Sequence, residues 1–211
     1  MFKKVLTTSV LGVSALGAML AHAAAPGIYV TGQLGYANNN MVIHNNDKIA
    51  NNNIEASSLG GRLAMGYQFN QNFALEAGYF RAAQKNAILV TTKAKKGPDD
   101  VIYANSTLDQ NAIDFVAKGI FPVSTNFNLY GKIGVAYLTT DFNADSSDPR
   151  FKIVGDYIAK RKLAPEAAIG VSYDITPNVS IDSSWTHIQT IGKNRPGNID
   201  FVALGLGYNF G

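Results

Sequence analysis

Three features of the 211-residue sequence predict an all-β fold: an eight-stranded antiparallel up-and-down transmembrane β-barrel with long outer loops and short periplasmic turns. The first is the last strand, where Val202, Leu204, Leu206, Tyr208 and Phe210 are large and apolar, while Ala203, Gly205, Gly207 and Asn209 between them are small or polar. A soluble sheet hides its large face in a core and shows polar side chains to water. Here the other face is nearly bare, which suits a strand whose large face meets lipid and whose small face lines a narrow interior. The second is composition. Apolar residues make up 46% of the chain and charged residues only 16%, against about 25% in a soluble domain. Yet beyond residue 25 the sequence has no apolar run of the ~18 residues that mark a membrane helix. A barrel resolves that conflict because it pairs every backbone group within the protein. The third is spacing: segments of about 10 residues, the length of a tilted spanning strand, are joined by connections that alternate short and long.

The N-terminus reads as a leader. Lys3 and Lys4 are followed by the apolar stretch Val5 to Leu20 and by Ala21-His22-Ala23, a small-x-small cleavage pattern. The expected division is a cleaved signal peptide over residues 1–23 and one barrel domain over 24–211. Removing Lys3 and Lys4 takes the bases from 18 to 16 against 15 acids, so the mature chain is close to neutral. With no nucleic-acid motif, no nucleic-acid partner is expected. There is no cysteine, which excludes disulfides, thiolate metal sites and a lipoprotein anchor.

The strands follow in order. Strand one, Gly27 to Ala37, puts Ile28, Val30, Leu34 and Tyr36 on the lipid face. A polar loop, Asn38 to Ala56, leads to strand two, Ser58 to Phe69, with Leu59, Leu63, Met65, Tyr67 and Phe69 outward and Arg62 inward. Asn70-Gln71-Asn72 is a turn. Strand three starts at Phe73, with Leu75, Ala77 and Tyr79 outward and Glu76, Gly78 and Phe80 inward. Ala83 to Gln110 read as a long polar loop. Strand four, Asn111 to Phe121, sets Ile113, Phe115 and Phe121 against Asp114, Val116 and Lys118; strand five, Phe127 to Thr139, sets Leu129, Ile133, Val135 and Tyr137 against Tyr130 and Lys132. Thr140 to Lys162 form another long connection. Strand six, Leu163 to Asp174, carries Glu166 inward. After a short turn at Pro177, strand seven, Val179 to Ile188, carries Asp182 and Ser184 inward and Ile181 and Trp185 outward. Gln189 to Gly197 precede the closing strand.

Four blocks in this frame, Leu75-Glu76-Ala77-Gly78-Tyr79, Leu129-Tyr130-Gly131-Lys132-Ile133-Gly134, Gly170-Val171-Ser172-Tyr173 and Leu204-Gly205-Leu206-Gly207-Tyr208-Asn209-Phe210, stand in the order of a known family. The chain resembles, over about residues 26 to 211, the small outer-membrane β-barrels that include the transmembrane domain of outer-membrane protein A. The resemblance implies residence in the outer membrane of a Gram-negative bacterium and a non-enzymatic role in envelope integrity and the display of surface loops. The barrel-assembly machinery, outer-membrane lipid and lipopolysaccharide are its implied partners, with a host or surface ligand at the loops. No peptidoglycan-binding domain follows the barrel in this sequence, so tethering to the cell wall is not expected.

The inward faces together carry Arg62, Glu76, Asp114, Lys118, Lys132, Glu166 and Asp182. Isolated buried charges are costly, so these are expected to pair; the family resemblance also implies such networks. Glu76 and Lys118 face inward on neighbouring strands and are expected to belong to one network completed by Asp182 and Lys132. The bland reading is a plug, since an eight-stranded interior is only wide enough for side chains. The alternative is a small or gated pore, opened by an exchange of partners.

A third reading, an envelope lipid-modifying enzyme, rests on strand seven. Alternation sends Asp182 and Ser184 inward and His187 outward, so they do not form a triad. Trp185-Thr186-His187, with Pro196-Gly197-Asn198-Ile199-Asp200, is faintly similar to the end of the lipid A deacylase barrels. Those require a serine two residues after the histidine, where this chain has Gln189, which is no nucleophile. No catalytic residue and no cofactor are expected. His44 has no carboxylate pair at ligand spacing, so no metal site is expected. Lys93, Lys95 and Lys96, and Lys160, Arg161 and Lys162, fall in expected outer loops, where cations suit lipopolysaccharide phosphates.

Overall fold

A computed structural model of the chain describes residues 26–42, 53–92, 101–145, 161–191 and 197–211. The expected signal peptide, His44, Lys93, Lys95, Lys96 and Lys160 lie outside the described residues. The strands are β1 Gly27–Val42, β2 Asn53–Asn70, β3 Phe73–Thr92, β4 Val101–Pro122, β5 Phe127–Asp145, β6 Arg161–Asp174, β7 Val179–Ile188 and β8 Asn198–Asn209. Each pairs antiparallel with the next, and β8 pairs with β1 to close a barrel.

Following paired residues once round the barrel leads from Tyr29 through Gly66, Glu76, Val116, Gly134, Glu166, Ile188 and Ile199 to Asn39, ten residues further along the same strand. That stagger tilts the strands from the barrel axis and keeps an eight-stranded interior narrow. Three short connections lie at one end, the periplasmic end in this architecture. Asn70 Oδ1 accepts from the Asn72 backbone N–H, and Thr176 Oγ1 accepts from the N–H groups of Asn178 and Val179. Both are side-chain mimics of a backbone turn.

Alternation sorts the side chains. Leu34, Leu63, Ile113, Ile133, Ile169, Leu204 and Leu206 are exposed on the outside, a surface that lipid covers. Aromatic residues bound this belt. Tyr67, Phe69, Phe73, Phe121, Tyr173, Tyr208 and Phe210 stand toward the short-turn end; Tyr36, Tyr79, Tyr137 and Trp185 stand further along their strands toward the other.

The strands extend beyond the expected bounds at the outer end. The chief correction is Ala83 to Gln110, read as a loop. Most of it continues the β3–β4 hairpin past a bulge between Ala82 and Lys85, with Thr92 paired to Val101. Ile88-Leu89-Val90 and Val101-Ile102-Tyr103 are strand formers on either side of Gly97-Pro98-Asp99-Asp100. Above the membrane neither face need be apolar, so the period-two signal fades there. In the same way β1 continues past Ala37 to Val42 and β5 past Thr139 to Asp145, and β2 begins before Ser58 at Asn53.

Candidate functional site: a layered barrel interior and an outward polar cluster

The inward side chains form layers. Along β4 they run, from the short-turn end upward, Lys118, Val116, Asp114, Ala112 and Gln110. Near the bottom, Lys118 Nζ lies 4.5 Å from the centre of the Tyr130 ring and 5.3 Å from that of Tyr29. Asp182 Oδ2 accepts from Tyr130 OH and from Gln33 Nε2, both at 2.7 Å, and Gln33 Nε2 also reaches Ser184 Oγ at 3.1 Å. Below them a polar vestibule lined by Gln68, Asn128, Asp174 and Asn209 opens to the short-turn end.

The middle layer is ionic and buried. Arg62 donates through Nε to Asp114 Oδ2 at 2.9 Å and through Nη2 to Oδ1 at 2.6 Å, and through Nη1 to Glu76 Oε1 at 3.3 Å. Lys132 Nζ is 2.8 Å from Glu76 Oε2 and 3.1 Å from Oε1. Glu166 is equally buried but forms no ion pair among the described residues, and its Oε2 has no hydrogen-bond partner.

Glu76 is therefore held by Arg62 and by Lys132, one of the network members the sequence points to, while Lys118, expected in the same network, forms no ion pair with it. Register explains the difference. Glu76 stands opposite Val116, and Lys118 stands two residues lower, opposite Ala74 on one side and Lys132 on the other. Two like charges face one another there. Lys132 reaches toward the carboxylate and Lys118 lies against the tyrosine rings, where a cation gains from the π faces.

An apolar layer lies above the charges. Phe80, Leu138, Ile188, Ile199 and Phe201 pack with inward alanines of β1, β3, β4, β5, β6 and β8. The Phe80 and Phe201 rings meet edge to face across the lumen, centroids 4.9 Å apart. A Cβ on Gly60 would stand 3.0 Å from Phe80 Cε2 and 3.2 Å from Phe201 Cε2, so the glycine makes room for both. Higher still, Asn39 Nδ2 donates to Gln110 Oε1 at 2.6 Å.

A second cluster faces outward, where the apolar stripes of β7 and β8 end. His187 Nδ1 is 2.8 Å from Asp200 Oδ1 and its Nε2 is 3.0 Å from Gln189 Oε1. Trp185 Nε1 donates to Asp200 Oδ1 at 3.2 Å, and Gln189 Nε2 donates to Asn198 Oδ1 at 3.1 Å. Asp182 and Ser184 lie on the opposite face of β7, inside the barrel. Of the basic residues expected at the loops, Arg161 is exposed at the start of β6. Lys162, next along the strand, is half-buried and points to the opposite face.

A closed barrel with an apolar belt and a polar, charge-bearing interior defines an integral outer-membrane protein of a Gram-negative bacterium. The model of the OmpA-like transmembrane domain matches residues 23–211, and the chain belongs to that family. It is 28% identical to the outer membrane protein PagN of Salmonella typhimurium over 82% of this chain and 80% of that one. It is 24% identical to outer membrane protein A of Serratia marcescens over 77% of this chain, spanning 42% of that longer protein. The crystal structure of Neisserial surface protein A superposes with a TM-score of 0.57 at 17% identity, covering 87% of this chain and 97% of that one.

Proposed function

We propose that this chain is a sealed, non-enzymatic barrel that supports envelope integrity and presents its outer connections at the cell surface. The observation that carries this reading is the filled lumen. The Arg62–Asp114 and Glu76–Lys132 pairs close it in the middle, and Phe80, Phe201 and Leu138 close it again above. A water path would have to break two barriers of different chemistry. The Asp200–His187 contact forms no hydrolytic centre on this reading, because Gln189 stands where a nucleophile is needed. The family match begins at residue 23, which supports removal of a leader there.

Its partners on this reading are the barrel-assembly machinery during insertion, the surrounding lipid and lipopolysaccharide, and a surface ligand at the outer connections. Arg161, exposed and outward on β6, supports a contact with lipopolysaccharide phosphate. Planar-bilayer recording of the refolded mature chain tests the seal. A silent bilayer is expected, and steady discrete openings would replace this reading with that of a small pore. Cells lacking the protein should leak periplasmic enzymes more readily; unchanged leakage would remove the integrity role.

A further inference from the structure

We propose that the vestibule at the short-turn end is a binding site for a small zwitterion of the α-amino acid type, with its carboxylate on Lys118 and its ammonium on Asp174. This goes beyond the sealed-barrel reading and depends only on the vestibule standing open to the periplasm.

Lys118 and Asp174 are opposite charges lining one cavity, and neither forms an ion pair among the described residues. Attraction alone would draw them together. Each is instead held by other groups. The Lys118 ammonium lies 4.5 Å from the centre of the Tyr130 ring and 5.3 Å from that of Tyr29. Those rings attract the charge but leave its three N–H donors without an oxygen acceptor among the described residues. Asp174 Oδ2 accepts from Asn128 Nδ2 at 3.0 Å, and no described residue donates to its Oδ1. Asp182, the other carboxylate of the cavity, is already engaged. Its Oδ2 takes Tyr130 OH and Gln33 Nε2, and its Oδ1 is buried over Gly205. One donor group deep in the cavity and one acceptor at its mouth are left unmatched.

The mouth is preformed. The Asp174 N–H donates to Asn126 O and the Asp174 carbonyl accepts from Asn126 Nδ2, both at 2.8 Å. Asn209 is held in the same way by Asn178, at 2.8 Å and 2.9 Å. Each clamp ties a turn to the end of the strand beyond it, so the rim loses little freedom when a ligand binds.

Size and charge set the ligand class. The cavity measures about 70 Å³, several times the ~10–15 Å³ that one water needs, which admits a small head group and no polymer chain. A simple anion would satisfy Lys118 but meet Asp174, and a simple cation would do the reverse. A molecule with both charges a few bonds apart satisfies both. The wall between them, with Gln68, Ser172, Ser180 and Asn209, is polar and uncharged.

The test titrates the refolded mature chain in detergent micelles and follows the backbone amide NMR signals of Asn128, Ser172, Asp174 and Asn209. The probes are glycine, acetate and methylammonium. Glycine should shift these signals saturably and bind at least about tenfold more tightly than either singly charged probe. Lys118→Met and Asp174→Asn should each weaken glycine by about tenfold. Asp174→Asn should also strengthen acetate, because it removes the opposing carboxylate; a residue that only held the rim would not have that effect. Migration before and after boiling checks that each variant is folded, and Asp174→Asn, nearly isosteric at the rim, carries the test if Lys118→Met does not fold. The absence of a saturable glycine shift, glycine bound no more tightly than acetate, or wild-type glycine binding by the folded variants would overturn the site. Bilayer conductance tests the sealed-barrel reading separately, and a conducting barrel that still binds glycine would leave this site standing.

Discussion

Arg62 on β2 reaches Asp114 on β4 across the intervening strand, and it does so over Gly78. The two side chains form a paired contact, 2.9 Å and 2.6 Å, although their strands are not neighbours. A Cβ on Gly78 would stand 2.6 Å from Arg62 Nη2 and 2.7 Å from both Asp114 oxygens. The glycine thus makes the bridge sterically feasible.

Gly78→Ala should therefore act as a charge mutation while changing no charge. Forcing the pair apart leaves two buried ions poorly matched, so a loss of about 3–5 kcal/mol is expected. Gly119→Ala is the control: its Cβ would meet nothing nearer than Gly131 O at 4.0 Å, and a change within about 0.5 kcal/mol is expected. Urea unfolding of both variants in lipid vesicles compares them. Equal stability of the two would mean that the Arg62–Asp114 contact contributes little.

The partners of Glu76 can be separated by double-mutant cycles. Glu76→Gln and Lys132→Met should couple by about 1–3 kcal/mol, because each residue loses the same contact. Glu76→Gln and Lys118→Met should couple less, since Lys118 lies against Tyr130 and Tyr29 and forms no ion pair among the described residues. A larger coupling for Lys118 than for Lys132 would show that the lysines have exchanged places in the membrane.

Glu166 offers the opposite sign. It is 3% exposed, it forms no ion pair among the described residues, and one of its oxygens lacks any hydrogen bond. A buried charge without a partner is costly. Glu166→Gln should leave stability unchanged or raise it by up to about 3 kcal/mol, whereas Glu76→Gln should lower it. A marked loss at Glu166 in the same unfolding assay would reveal a partner, such as an ordered water.

The lipid-facing half of the barrel was legible because its rule is simple. Every second residue from Val202 to Phe210 must be large and apolar, and a chain with no other use for that pattern displays it openly. The bounds of β7 could be read for the same reason, while those of β3 and β4 could not: beyond Arg81 the strands leave the lipid and no solvent demands an alternating face. The interior charges could be assigned to one compartment by parity, but not to partners, since pairing depends on register across three strands. The Arg62–Asp114 bridge skips a strand and leaves no trace in the sequence beyond Gly78, one small inward residue among many. The apolar layer was half visible. Phe80 had the inward parity, but nothing in the chain places Phe201, 121 positions later, against it across a closed barrel.

That apolar layer supplies the last prediction. If the charged network alone closed the lumen, rearranging Arg62, Glu76 and Lys132 would be enough to admit ions. The Phe80–Phe201 contact and the packed Leu138, Ile188 and Ile199 around it form a second barrier that no exchange of ion pairs removes, since an apolar constriction excludes water by itself. Phe80→Ala should cost about 3–5 kcal/mol as a core truncation, and the Phe80→Ala, Phe201→Ala double variant should open the upper half of the barrel. Neither Glu76→Gln nor the double variant should conduct steadily in planar bilayers, because each leaves one barrier intact. Adding Glu76→Gln and Asp114→Asn to the double variant, which breaks both ion pairs of the middle layer, should give discrete openings. Conduction by Glu76→Gln alone would mean that the phenylalanine layer does not seal, and a silent quadruple variant that still migrates as a folded barrel before boiling would place the seal elsewhere in the lumen.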